Sequence, residues 1–225
     1  MLTLTNLVGF GAGVSSAANP SLSYIGNNSQ TSSATSHTFS AQSIGAAATG
    51  RRVVVAFSCY SASSGTLSSA TIAGVSATIV VQGTGTTTIA GLIIAQVDSG
   101  TTGDLVLNWS SSNQNVAIAV YRVVDLNSST AHATGSDTAL SSGSYSFTMN
   151  IPANGVAIIS AVSIDGTAWS TYSTGFTENS DQFVASSNAA AAASGTFVAA
   201  ETPHTATGTA GTGTRGVAVG ASWGN

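Results

Sequence analysis

Eight carboxylates, three histidines and one thiol are the side chains of this 225-residue sequence with the most obvious capacity for chemistry. The acids are Asp98, Asp104, Asp125, Asp137, Asp165, Glu178, Asp181 and Glu201. A glycosidase or lyase needs converging acid and base groups, in most glycosidases two carboxylates facing each other across a sugar. Only Glu178 and Asp181 are close enough in sequence to share a loop, and turn capping and solubility are the favoured explanation of the pair. The same pair could contribute oxygen ligands to calcium, but no EF-hand spacing surrounds it. His37, His132 and His204 are far apart, and nothing in their spacing marks a metal site. The many serines leave a Ser-His-Asp triad open, although no Gly-x-Ser-x-Gly elbow points to one. Neither a Walker pattern nor a dinucleotide fingerprint occurs. Cys59 is the single cysteine, so no intrachain disulfide and no Cys-based zinc site can form. It lies in the apolar run Val53–Tyr60 and reads as a buried, inert thiol. On these grounds no catalytic, metal-binding or cofactor-binding residue is assigned, and the chain reads as a non-enzyme.

Aromatic side chains carry more information. Leu105, Leu107 and Trp109 alternate on one face, and Trp223 alternates with Ala221 and Val219, so both tryptophans read as core. Trp169, near Tyr172, lies where apolar alternation is weak. It is the best candidate for an exposed aromatic, and with Tyr172 it forms a candidate ligand or interface site, since such rings stack on sugars and anchor interfaces.

These residues need elements to position them, and the elements read as strands. Arg52–Tyr60, Thr86–Val97, Asp104–Trp109, Val116–Val124, Ser144–Ile151, Val156–Ile164 and Arg215–Trp223 are short apolar or alternating runs rich in β-branched and aromatic residues. Polar or glycine-bearing segments separate them: Asn27–Ser36, Ser110–Asn115, Asp125–Ser142 and Glu201–Thr214 read as loops or turns. Gly175–Glu178 and Gln182–Ser186 read as short strands around a turn. Ala189–Ala193 favours a helical turn locally or an apolar loop. No fixed repeat period is visible. Many short strands with frequent turns predict an all-β, jelly-roll-like β-sandwich over residues 51–225. Residues 1–50 read as an attachment arm with edge strands: Leu2 and Leu4 alternate with Thr3 and Thr5, and Gly9, Gly11 and Gly13 form a hinge.

Composition narrows the function classes. Charged residues are 5% of the chain, lysine is absent, and the formal net charge is −4. Arg51, Arg52, Arg122 and Arg215 make too few cations for a phosphate-binding stripe, which argues against nucleic acid. The adjacent pair Arg51–Arg52 reads as a solvated strand end or a contact to an acidic neighbour. A spanning helix needs about 20 apolar residues; the apolar runs here are strand-sized, and no membrane partner is expected. The first residues lack the basic start and unbroken apolar stretch of a secretory signal.

Three segments carry a resemblance. Thr71–Val80 (TIAGVSATIV), Ala117–Asp125 (AIAVYRVVD) and Arg215–Trp223 (RGVAVGASW) resemble β-sandwich domains of tailed-phage and phage-like particle structural proteins. The chain departs from that pattern at Arg122, which stands with two valines where a small-residue step is usual. The resemblance implies a head decoration, head-fibre or tail-associated protein on the external surface of a virion. Its expected partners are the major capsid protein, other virion proteins and its own copies. A carbohydrate- or receptor-binding module, holding a host-surface glycan, is the alternative. A polysaccharide-acting glycosidase or lyase comes third.

Overall fold

The computed structural model describes residues 18–60, 65–140, 143–164, 168–185, 188–210 and 215–225. The fold is all-β. Sixteen strands form among the described residues, and every pairing is antiparallel. The first eight are β1 (Ser21–Gln30), β2 (Ala34–Ser43), β3 (Arg52–Tyr60), β4 (Leu67–Ile72), β5 (Val75–Ser76), β6 (Thr78–Thr84), β7 (Thr88–Gln96) and β8 (Thr102–Val124). The second eight are β9 (Ala133–Leu140), β10 (Ser144–Ile151), β11 (Gly155–Ile164), β12 (Trp169–Tyr172), β13 (Thr177–Val184), β14 (Asn188–Phe197), β15 (Glu201–Ala210) and β16 (Arg215–Trp223).

In the first half, the 23-residue β8 belongs to two layers. Its start pairs with β2 and β4, and its end pairs with β1 and β3. Ser110–Asn115, expected as a turn, is instead the bend within this strand; Asn115 has φ 53°, a left-handed conformation that Asn tolerates better than most residues. The path β5-β4-β8-β3-β7-β6 curls into a nearly closed barrel. Ala77 N–H donates to Ala70 O at 2.9 Å and Leu67 N–H to Gln82 Oε1 at 2.7 Å, joining the barrel's two ends. Thr71–Val80 is the hairpin of β4 and β5 leading into β6, its two-residue turn made by Ala73 and Gly74 at positive φ. The second half has two open sheets, β13-β14-β11-β16-β9 and β10-β15-β12.

The halves repeat one connectivity. When β8 is counted as two strands, the first half runs β1-β8-β3-β7-β6 in its inner layer and β2-β8-β4-β5 in its outer layer. Substituting β9 for β1, β10 for β2, and so on to β16 for the end of β8, reproduces both sheets of the second half. The outer layer differs only in lacking a counterpart of the two-residue β5. No repeat is visible in sequence because the corresponding strands share burial, not residues: β7 is TIAGLIIAQ and β14 is NAAAAASGTF.

Three cores stack in order. Phe39, Val55, Phe57, Ile93, Leu107 and Trp109 fill the first half. Tyr145, Phe147, Ile159, Trp169 and Phe197 fill the second. Between them the inner layers pack face to face: Val54, Leu92 and Tyr121 meet Ile158, Val217 and Trp223. Alternate residues of one strand therefore serve two cores. Val53 and Val55 face the first, and Val54 faces the middle one. This explains why β3, β7, β11 and β16 are apolar almost throughout, as strands covered on both faces must be. It also corrects the reading of Ala189–Ala193. The alanines are in β14, between β11 and β13, where tertiary context overrides helix propensity. Small side chains let the layers approach. A Cβ on Gly83 would lie 2.7 Å from Val217 Cγ2 and 2.9 Å from Val219 Cγ1.

Several expected loops are strands. β1 extends through Gln30 and β2 starts at Ala34, within the expected loop Asn27–Ser36; β9 occupies part of Asp125–Ser142; β15 occupies most of Glu201–Thr214. β13 is continuous through the expected turn, with a register shift between Glu178 and Ser180.

The packing does not divide at residue 50. β1 and β2 pair with β8, and Phe39 and Ile44 are buried in the first core, so residues 21–44 belong to it rather than to an arm. The expected strand and hinge over residues 1–17 lie outside the described residues. The Arg51–Arg52 pair is also not solvated. Arg51 is fully buried, and its Nε, Nη1 and Nη2 donate to the carbonyls of Val97, Gly45 and Ser99 at 2.6, 2.7 and 2.8 Å. Desolvation and then Arg122 lower its pKa, and Asp98 partly opposes them.

Two outcomes follow. A chain starting at Arg51 loses two edge strands and two core side chains, and should show no cooperative transition by near-UV circular dichroism; a folded fragment would contradict this placement. Arg51→Met leaves three carbonyls without their donor and should cost roughly 3 kcal/mol in urea melts, at about 1 kcal/mol or more each.

Candidate functional site

A polar-lined concave feature lies at one end of the seam between the inner layers. Strand register builds it. In the first half Thr88, Tyr60 and Gln114 stand in one row across β7, β3 and β8. In the second half Asn188, Ile164 and Arg215 form the equivalent row across β14, β11 and β16. Tyr60, Gln114, Asn115, Ile164, Asn188 and Arg215, with Thr87, line a groove of about 390 Å³, within the range of about 300–1,000 Å³ usual for small-molecule sites, which favour such interfaces. Among the described residues, no carboxylate lines it. Asn188 is 2% exposed, yet its Oδ1 has no hydrogen-bond partner among the described residues; the buried Oγ1 atoms of Thr87 and Thr88 have none either. Arg215 is exposed and makes no ion pair among the described residues. Sequence reasoning missed this groove because its members are polar residues at strand ends, brought together only by register. A second hollow of about 290 Å³, beside β6 and residues 129–134, has no titratable lining residue.

A Ser-His-acid line does form elsewhere. His204 Nε2 lies 3.2 Å from Ser173 Oγ, and Nδ1 is bonded to Glu201 Oε2. Ser173 Oγ also accepts from Thr207 N–H at 3.3 Å. The imidazole is 6% exposed and lies against the rings of Phe176 and Phe197. Its two partners satisfy a buried polar ring, which is sufficient reason for the arrangement. None of the hollows described above opens onto Ser173. His37 is similarly enclosed: Trp109 Nε1 donates to its Nδ1 at 3.0 Å, and its Nε2 meets Ser32 O at 3.0 Å, which fits the Nε2–H tautomer. His132 is exposed.

The expected aromatic and acidic candidates gather around β12 and β13. Trp169 is 2% exposed rather than open to solvent. It packs on Tyr145, and its Nε1 donates to Ala189 O at 3.0 Å. The weak alternation around it reflects the four-residue length of β12, not exposure. Phe183 on β13 is an exposed aromatic instead, at 57%. Tyr172 is half-buried, and its hydroxyl has no partner among the described residues. Burial raises its pKa, and neighbouring Tyr145, Glu178 and Asp181 add to the rise. Burial, then Asp181, holds the Glu178 carboxyl above its usual range. Burial raises Asp181 too, opposed by a hydrogen bond from the Trp169 backbone. Asp165 lies outside the described residues. Cys59 is buried, and desolvation raises its thiol pKa, which removes the thiolate that reactivity needs.

No cluster of three or more His, Cys, Asp or Glu side chains able to hold a metal occurs among the described residues. No helix among them is long and apolar enough to cross a membrane. No protein-family model, curated protein or solved structure matches the chain.

The acidic pair generates a pH prediction. The folded-state pKa of Asp181 is raised, so the folded chain holds this proton more tightly than the unfolded chain. Its contribution then favours folding at low pH and is lost as pH rises from the ordinary carboxylate range through the raised value. Asp181→Asn keeps an oxygen for the Trp169 N–H but no charge. Thermal melts should show a higher Tm than wild type at pH 7 and no gain near pH 3. An equal gain at both pH values would contradict the electrostatic cause.

Proposed function

We propose that the chain is an external structural component of a virus particle, a capsid decoration or head-fibre protein, built from two jelly-roll-like sandwiches in tandem. The observation that carries this reading is the strand order. In the second half the sheets β13-β14-β11-β16-β9 and β10-β15-β12 resemble the two sheets of a jelly roll, except that β13 joins the first of them, and the first half repeats this connectivity. Such double-sheet folds serve in capsid and lectin domains, and both uses depend on a rigid frame that displays its surface. Fold alone does not assign a role, and one further feature favours the structural one. The outward residues of β2, β10 and β15 are mostly Ser, Thr, Gln, Asn and Glu, which gives a hydrated surface with little charge. The Ser173–His204–Glu201 line has a structural explanation as the hydrogen bonding of a buried ring, so it adds no support of its own to an enzymatic reading.

On this reading the partners are the major capsid protein or other virion proteins and further copies of the chain. The test is direct. Particles banded on a density gradient should contain the chain at a fixed ratio to the major capsid subunit, and an antibody against it should decorate intact particles. Recovery of the chain only as free monomer, with bare particles, would overturn the proposal.

A further inference from the structure

We infer that the groove at the end of the seam is a binding site for a pyranose sugar carrying a carboxylate. This inference does not depend on assembly into a particle; it rests on the groove's own chemistry.

The groove contains groups whose polar capacity the fold leaves unused. Buried oxygen acceptors are normally satisfied, because stripping water from one without replacing its hydrogen bond is costly. Asn188 Oδ1, in a residue 2% exposed, is such an acceptor, and Thr87 Oγ1 in the same groove is a second. Thr87 immediately precedes β7 in the first half and Asn188 begins β14 in the second, so the two acceptors come from opposite sides of the seam to one groove. Such acceptors ask for hydroxyl donors, and a sugar ring supplies several in a fixed array. The amides of Gln114 and Asn115 supply both donors and acceptors from the same wall.

Two residues narrow the class. Tyr60 gives the groove an aromatic ring, and Ile164 stands opposite it in the equivalent row; together they offer apolar surface to the C–H face of a pyranose. Arg215 offers one guanidinium without a carboxylate partner among the described residues, and no acid among those residues lines the groove. A guanidinium fork matches a carboxylate in bidentate geometry. One cation fits one carboxylate, whereas a polyphosphate or nucleic-acid backbone would require several. A neutral sugar would leave Arg215 unused, and a simple anion would leave the amides, the hydroxyls and the Tyr60 ring unused.

The duplication explains the position. Equivalent strands of the two halves end at the same level, so each row has a counterpart across the seam. The duplicated positions carry different residues: Tyr60 against Ile164, and Gln114 against Arg215. The result is one asymmetric groove in which one wall is aromatic and neutral and the other is apolar and cationic.

The experiment is a titration of the full chain followed by chemical-shift changes, with glucuronic acid, glucose and N-acetylglycine as probes. The acid sugar should bind with a Kd in the millimolar range, and glucose and N-acetylglycine each at least tenfold more weakly. Arg215→Gln should reduce glucuronic acid binding to the level of glucose. Tyr60→Ala should weaken both sugars. Because Tyr60 adjoins a core strand, Gln114→Ala provides a second sugar-facing variant, and every variant is compared only where its near-UV circular dichroism matches wild type. No binding of glucuronic acid would overturn the inference. So would equal binding of glucuronic acid and glucose, equal binding of N-acetylglycine, or unchanged binding by Arg215→Gln.

Discussion

The structure depends on an apolar contact between two sheets whose central strands, β3, β7, β11 and β16, are covered on both faces. Each inner layer is covered once by its own outer layer and once by the inner layer of the other half. That double coverage requires apolar residues at consecutive strand positions. It also limits their size, since two pleated faces approach closely only where bulk is rationed. Gly83 against Val217 and Val219 and the alanines of β14 meet this limit. A hydroxyl in the seam finds a carbonyl: Ser160 Oγ donates to Phe57 O across it at 2.8 Å. The outer layers have only one face to bury and can remain short and polar on the other. The 5% charge content fits this division, because most inner positions admit no charge.

The same constraint explains which parts of the fold were legible in the sequence. β3, β11, β16 and the end of β8 stand out as continuous apolar runs, since neither face meets water. β10 stands out through Tyr145, Phe147 and Met149, large side chains alternating with polar ones. β15 has the same one-sided burial, but its inward residues include His204, Ala206 and Gly208, too small or too polar to read as a core stripe. β9, with Ala133, Gly135, Asp137 and Ala139, was hidden for the same reason. β14 was obscured by the opposite error, because alanine's local preference is helical and only its neighbours make it a strand. The groove was illegible in principle: Tyr60, Gln114, Asn188 and Arg215 are distant in sequence and become one surface through pairing register. Trp169 was misplaced because a four-residue strand is too short to display a period.

Directed polar bonds also hold the ends of the layers. Arg51 clamps three carbonyls where the β2–β3 and β7–β8 connections meet. Trp109 and His37 close the first outer layer near Ser32. Trp223 Nε1 reaches Ser129 O at 3.2 Å, and Asn225 Nδ2 donates to the carbonyls of Ala18 and Asp125, both at 2.6 Å, so the final residues join the two halves. Apolar contact supplies cohesion along the strands, and these directed bonds fix where the connecting segments leave them.

One difference between the halves bears on how the molecule opens. In the first half a single uninterrupted strand, β8, runs through both layers, so β2 and β4 hang on the same backbone as β1 and β3. In the second half the corresponding strands, β15 and β16, are separate, and the outer layer has three strands, β10, β15 and β12. Local opening follows contiguous cooperative units. Detaching the first outer layer must disturb the inner pairing of β8 as well. The second outer layer can lift away while β11, β14 and β16 stay paired. Amide protons of β10 and β15 then exchange with solvent through a sub-global opening, whereas those of β2 and β4 wait for the whole barrel. Two halves of one connectivity thus differ in kinetic protection, and the softer of them carries the His204 network.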